Sequence, residues 1–266
     1  MKNIYLIFTF IICNLCVVAQ SNYGPTISAI GNAGVALQDV WSVQKNQAGI
    51  AALKKTEFAL AYENKYGISS YDTKSAVLAV PLKNYVFGAS FQTYGVESYK
   101  EIKSNLSLAK AISPKLLFAI GLNYHQIQIE NYGSAKSFSF ELGMQYQVSS
   151  KLWLASHIAN PNQSNYGNDT EQTIPTHVEF GAIYRFSDQL FISSEIEKII
   201  DNEADFKAGI SYHLIKFLAL RGGISVHPFK QYVGFGLDYE NLKLNFALSS
   251  HPILGFSPQI SIGYDF

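Results

Sequence analysis

From about residue 56 onward, apolar side chains alternate with small or polar ones in runs of roughly ten residues, each followed by a turn. Strict alternation marks a strand with two unlike faces, because successive side chains of a strand point to opposite sides. Fourteen such runs are predicted, near 56–63, 74–82, 85–94, 101–112, 115–128, 136–148, 151–158, 175–186, 189–198, 204–214, 217–226, 231–239, 242–249 and 257–266. Short turns are predicted at Lys83-Asn84, Ser113-Pro114, Ser149-Ser150, Ser187-Asp188, Ile215-Lys216 and Glu240-Asn241. Between them lie longer segments rich in Tyr, Gly, Asn and Ser, the longest being 159–174. Tight turns alternating with longer loops are what an up-and-down antiparallel barrel produces, with turns at one rim and loops at the other. An even strand number brings both ends of the barrel to the rim of the tight turns.

The faces can be read directly. Leu116, Phe118, Ile120, Leu122 and Tyr124 alternate with Ala119, Gly121, Asn123 and His125. Phe138, Phe140, Leu142, Met144 and Tyr146 alternate with Ser139, Glu141, Gly143, Gln145 and Gln147, and Leu242, Leu244, Phe246 and Leu248 with Lys243, Asn245, Ala247 and Ser249. The apolar sets are the predicted lipid face. A soluble sheet would turn a Lys- and Glu-rich face to water, whereas this second face is rich in Gly, Ala and Ser with isolated charges. That composition fits a narrow lumen into which other chain segments pack. Tyr124, Tyr146, Tyr184, Tyr212, Tyr239 and Tyr264 fall near strand ends, as interface aromatics do. The chain ends Gln259-Ile260-Ser261-Ile262-Gly263-Tyr264-Asp265-Phe266, an alternating strand in which Tyr264 and Phe266 are expected to close the barrel. Charged residues are sparse at 15% and aromatics reach 14%, with 17 Tyr against 2 Trp, a balance that suits lipid contact and interface girdles. Twenty basic side chains against 20 acidic ones give no basic excess for nucleic acid.

Residues 1–19 read as an export signal: Lys2 is followed by an apolar core from Tyr5 to Ile12 and a small residue, Ala19, before an expected cut. Removing them takes both cysteines, Cys13 and Cys16, so no disulfide or thiol metal site is expected in the remainder. No later segment reaches the length of an apolar membrane helix, which leaves a closed barrel as the way to span a bilayer. Residues 20–55 do not alternate. Small residues crowd two stretches, Ile30-Gly31-Asn32-Ala33-Gly34-Val35-Ala36-Leu37-Gln38-Asp39 and Asn46-Gln47-Ala48-Gly49-Ile50-Ala51-Ala52-Leu53, as close backbone packing demands. The segment is expected to fold into the lumen as a plug, the alternative being a periplasmic arm. Three parts follow: 1–19 signal, 20–55 plug and 56–266 barrel.

The Gly-x-Ala-Gly-Val-Ala pattern with Asp39 after it, followed by Asn-x-Ala-Gly-Ile-Ala, resembles the FadL superfamily of outer-membrane barrels. It is most similar to the branch containing the PorV and PorQ proteins of type IX secretion. The resemblance is specific over residues 28–53 and loose over the barrel. It implies an all-β barrel of about fourteen strands with an N-terminal luminal hatch whose motif residues here are Gly31, Gly34, Asp39, Asn46 and Gly49. It also implies either passage or binding of a hydrophobic small molecule or a protein-binding role in secretion or envelope assembly; no enzymatic activity and no cofactor are expected, because catalytic and cofactor motifs are lacking. The chain departs in two ways. Gln47 stands where the family has Pro in its Asn-Pro-Ala-Gly turn, and the loops are trimmed.

The inward face carries Glu141, Glu179, Arg185, Glu195, Lys207, Arg221, Asp238 and Lys243, together with His125, His157 and His213. These read as a structural network of paired charges in a narrow lumen, or as a polar pathway or latch for the plug. His177 and Glu179 share a face, a thin basis for a metal site. No Gly-x-Ser-x-Gly elbow, phosphate loop, dinucleotide fingerprint or calcium loop is present. Hydrophobic transport would need an apolar pocket beside the plug, and a break in a strand would serve it; Pro81 and Gly222-Gly223 are the candidate breaks. A secretion accessory would use the loops, chiefly 159–174 and the Tyr-rich 65–72. Expected partners are outer-membrane lipid and lipopolysaccharide, the barrel-assembly machinery, and an apolar small molecule or a secretion-system protein.

Overall fold

The computed structural model describes residues 23–167 and 173–266; the expected export signal, and Asn168-Asp169 of the longest loop, lie outside them. Fourteen antiparallel strands form one closed barrel: β1 Glu57–Asn64, β2 Asp72–Leu82, β3 Tyr85–Val96, β4 Tyr99–Ser113, β5 Leu116–Ile129, β6 Gly133–Gln147, β7 Leu152–Ala159, β8 His177–Arg185, β9 Leu190–Ile199, β10 Ala204–Ile215, β11 Leu218–Val226, β12 Phe229–Tyr239, β13 Leu242–His251 and β14 Gly255–Asp265. Each strand pairs with its sequence neighbours, and β1 pairs with β14 from Glu57↔Asp265 to Glu63↔Gln259. Beyond that ladder the Phe266 N–H donates to the Thr56 carbonyl at 2.8 Å, and the Phe266 ring meets Tyr264 edge-on at 5.0 Å. Closure leaves every strand paired on both sides, which is the condition for crossing a bilayer with strands.

Alternation sorts the side chains as the sequence predicts. Ile120 is 51% exposed and Phe140 55%, while Ala119, Asn123, Ser139 and Glu141 between them are buried. A continuous belt of such exposed apolar side chains is stable in lipid and untenable in water. Tyr146, Tyr184, Tyr239 and Tyr264 lie toward the rim of the tight turns, and Tyr124 lies toward the opposite rim.

Two expectations change. The two rims differ less in loop length than predicted, because the connections at 97–98, 130–132 and 227–228 are as tight as those at the turn rim. The residues flanking them extend the ladders to Val96↔Tyr99, Ile129↔Gly133 and Val226↔Phe229 instead of leaving them as loop. Neither candidate break is present. Pro81, one residue from the end of β2, stays in register opposite Val86, and Gly222 and Gly223 pair fully with both neighbouring strands.

Residues 23–55 fill the lumen. A short helix, α1 (Pro25–Ala29), packs on β11–β14; a 3-10 turn at Val40–Val43 meets β1–β3; a second at Gln47–Ala52 meets β3–β6. The core is formed between plug and inner wall, with Ile27, Val35, Trp41, Val43 and Ile50 against Ala59, Val77, Ala79, Ala119 and Ile183. Local signals explain the turns. Pro25 starts α1 after Gly24, whose φ of 80° few other residues adopt. The Asp39 carboxylate accepts the Trp41 N–H at 2.7 Å and the Asn46 side chain accepts the Ala48 N–H at 3.2 Å, each capping the turn that follows.

Candidate functional site

The contact between plug and wall is built first from missing side chains. Gly31 has a φ of +73°, and a Cβ there would stand 2.7 Å from the Ile224 carbonyl. Facing it, a Cβ on Gly223 would lie 2.2 Å from the Gly31 nitrogen, and one on Gly209 2.3 Å from the Ile30 carbonyl. Gly223 is therefore a close-approach glycine and not a softened strand. Gly34 makes room for Ile27 and Gly49 for the Leu37 carbonyl, with hypothetical Cβ contacts of 2.6 and 2.3 Å. On β6 the absent side chain of Gly143 admits Asn46, whose amide donates to the Val35 carbonyl at 2.7 Å.

Charge then fixes the plug to one sector of the wall. Lys45, with no exposed side-chain surface, places Nζ 2.7 Å from both Glu179 and Glu195. Nζ also lies 4.3 Å from the centre of the Tyr23 ring. Burial alone would push the Lys45 ammonium down, but the Glu179 and Glu195 carboxylates outweigh it and hold the group well above the ordinary lysine range. Glu179 accepts from His157 Nδ1 at 3.0 Å, and His157 Nε2 lies 3.5 Å from Glu141. Glu141 also takes Lys103 at 3.2 Å, the Asn123 amide at 2.6 Å and the Gln47 amide. Beyond Glu195, Lys207 lies 3.3 Å away and bridges to Glu197, which meets His177 at 2.8 Å. The Val35 N–H donates to Glu195 at 2.8 Å. One connected network thus runs along the wall from β4 to β10, and the plug enters it through Lys45, Gln47 and the Val35 backbone.

Of the inward residues picked from sequence, Glu141, Glu179, Glu195 and Lys207 lie in this network. Lys243 belongs to a second group with Glu57 at 3.0 Å and Asp265 at 2.9 Å, opposite Asp238 in register. Arg221 donates to Asn245 at 2.8 Å. Arg185, at the end of β8, lies over the Phe191 ring at 5.6 Å and stands outside both groups. His125 meets the Ser139 hydroxyl at 2.8 Å. Burial, set against the Trp41 N–H, raises the plug's Asp39 carboxyl, with Lys243 and Arg221 acting to lower it. Lys45, Lys103, Glu57 and Glu197 were missed from sequence, and Gln47 was singled out only as a departure in the hatch turn. Lys103 and Glu197 continue the inward alternation of Asn105 and Glu195, so the pattern could have found them; nothing in the local pattern marks Lys45.

His177, Glu179 and Glu197 bring ligand atoms within 4.8 Å of one another. Lys45 and Lys207 already balance the two carboxylates, so the group reads as ion pairs. Two cavities among the described residues are polar. One, of about 30 Å³, lies between the plug residues Ser28 and Asn32 and the wall residues Tyr66 and Tyr232. The other, of about 410 Å³, is lined by Asp72, Lys74, Thr93, Glu97, Lys100 and Gln128 near the loop rim.

No protein-family model and no curated protein sequence matches the chain. Solved structures do match in fold. The CymD monoaromatic hydrocarbon channel superposes with a TM-score of 0.73 at 13% identity, covering 91% of this chain and 97% of that one. The Ralstonia pickettii toluene transporter TbuX gives 0.73 at 13% identity over 92% and 99%. A Pseudomonas aeruginosa FadL homologue gives 0.68 at 11% identity over 91% and 98%. At these identities the likeness is one of architecture alone: a closed fourteen-stranded barrel.

Proposed function

We propose that this chain is an outer-membrane barrel that passes or binds hydrophobic small molecules, with residues 20–55 as its movable hatch. The observation that carries the reading is a buried N-terminal segment filling a closed fourteen-strand barrel whose architecture is that of monoaromatic hydrocarbon and toluene channels. On this reading residues 1–19 are an export signal, lipopolysaccharide surrounds the loop rim, and the barrel-assembly machinery inserts the protein. Gly31, Gly34, Asp39, Asn46 and Gly49 shape the hatch, and the wall charges seat it. On this reading passage goes by a shift of the plug: Pro81 stays in register with β3, Gly222-Gly223 pair on both sides, and two cavities among the described residues are polar. Toluene uptake by intact cells, whose lipopolysaccharide leaflet slows apolar solutes that cross a plain phospholipid vesicle unaided, tests the reading: faster uptake with the protein than without it supports it, and equal uptake sinks it.

A second reading, a PorV/PorQ-like accessory of type IX secretion, is supported by the hatch motif and by the firmly paired plug, which suits a scaffold that need not open. Purification from the native outer membrane separates the two. A stoichiometric protein partner with an empty barrel favours the accessory; a bound apolar molecule favours the channel.

A further inference from the structure

We infer that the outward face of β2–β6 at the loop rim is a docking site for a phosphorylated glycolipid of the outer leaflet, with Lys74 and Lys100 as its phosphate ligands. This rests on the outer-membrane reading and names the lipid that one sector of the barrel holds.

The cleft of about 410 Å³ opens on the outside of the wall. Thr73 and Ser75 are buried toward the lumen, so Lys74 between them points outward. The register carries that face across Thr93 and Gly95 on β3, Lys100 on β4 and Gln128 on β5, all of which line the cleft. Gly95 pairs with Lys100 and has no side chain, which keeps the floor of the cleft low. Depth then fixes what fills it. Phe91, Ser104, Tyr124 and Phe138 align in one outward row, and the Tyr124 and Phe138 rings meet at 5.4 Å, as aromatics do at a membrane interface. Lys74, Thr93, Gln126 and Lys136 belong to the next row toward the loop rim, and Lys100, Gln128 and Ser134 to the row beyond. These rows lie about 7 and 13 Å further along the strands, or roughly 5 and 10 Å along the membrane normal at the usual barrel tilt, which is headgroup level.

Charge fixes the headgroup. Among the described residues Lys74, Lys100 and Lys136 make no ion pair, so their ammonium groups are free in one headgroup-deep band. Both oxygens of the adjacent Asp72 carboxylate are already taken, by the Tyr62 hydroxyl at 2.9 Å and the Asn64 amide at 2.7 Å. Glu97 stands at the tip of the β3–β4 hairpin, beyond the lysine rows. Unpaired lysines at this level bind phosphate, while the Thr93 hydroxyl and the Gln128 amide suit sugar hydroxyls. The opposite sector has a different rim. There Val226, Phe229, Leu254 and Phe256 are exposed and apolar, and the outward Lys198 donates to the Asn202 carbonyl. The free lysines are thus gathered on one side of the barrel, where the cleft is.

The test titrates the protein in detergent with diphosphoryl lipid A and follows bound lipid by native mass spectrometry. Saturable binding is expected, weakened roughly tenfold in the double variant Lys74→Gln with Lys100→Gln. Lys198→Gln, on the opposite sector, should bind as the wild type does. Dephosphorylated lipid A and phosphatidylglycerol should each bind at least roughly tenfold more weakly than the diphosphoryl form. Heat-dependent gel mobility checks that each variant is folded, and the substituted side chains lie outside the packed core. No saturable binding, equal binding by the double variant, or equal binding of phosphatidylglycerol overturns the inference. Outer-membrane fractionation and toluene uptake by intact cells are scored separately. A barrel that reaches the outer membrane and speeds toluene uptake without binding lipid A keeps the functional reading and loses this one.

Discussion

Replacing Lys45 by Met would leave Glu179 and Glu195 as buried neighbours without their shared cation. Breaking one partner of a buried pair costs about 3–5 kcal/mol. The expected result is a plug cleaved by trypsin under conditions where the wild-type plug resists, with the barrel still heat-resistant in gel mobility; an equally protected plug would mean that the ion pairs do not seat it. A separate prediction concerns shape. Gly223→Val puts a side chain against the Gly31 backbone, an overpacking worth about 1–3 kcal/mol. It should loosen the plug without opening the strand ladder, and a lowered barrel unfolding temperature with an intact plug would contradict that role. At this scale the sequence was partly legible. Alternation identified Glu141, Glu179, Glu195 and Lys207 as inward, since period two needs no knowledge of the partner strand. It could not say that Lys45, 134 residues from Glu179, reaches the same point, because contacts between an irregular segment and a barrel wall leave no local period.

At the scale of elements, the strands and their faces were legible and the strand ends were not. Alternation gave fourteen strands, but it stopped at 94 and 128 and resumed at 101 and 136, whereas the ladders run on to Val96↔Tyr99 and Ile129↔Gly133, where pairing and not hydrophobicity decides where a turn begins. The lipid face makes a clear prediction. Ile120→Arg, at the middle of β5 on the exposed face, should cost about 2–4 kcal/mol in folding into a bilayer, as charged groups do at the midplane. Urea titration in vesicles measures this, and a change under about 1 kcal/mol would place Ile120 near an interface instead. At the first position of the hatch turn Gln47–Ala52, the Gln47 amide reaches Glu141 and the Val43 carbonyl at 3.2 Å, contacts that Pro could not make. Gln47→Pro keeps the backbone of the turn, with a fixed φ suited to its first position, but loses the tether to β6. Faster proteolysis of the plug with unchanged barrel stability is the expected outcome; wild-type resistance would reduce Gln47 to a filler of space.

The whole molecule is a closed wall around a seated segment, and its proposed work depends on that segment leaving its seat. Barrel class and the existence of a plug were legible because lipid demands alternation and a narrow lumen demands small residues. The solute was not legible, since the inner wall is polar and the apolar core belongs jointly to plug and barrel. The most direct measurement locks the two together. Val43 on the plug lies against Gly88 on β3, where a Cβ would meet the Val43 side chain at 3.2 Å and its nearer contacts, Ser107 and Ile50, are side-chain atoms that can give, so Val43→Cys with Gly88→Cys brings two thiols together. Toluene uptake by intact cells carrying the variant, with the lipopolysaccharide leaflet as the barrier, is then compared with the pair oxidised and reduced. Uptake that stops on oxidation and returns with reductant is the expected result. Uptake that is the same in both states, with the disulfide verified by mass, would show that solute passes without plug movement and would contradict the hatch.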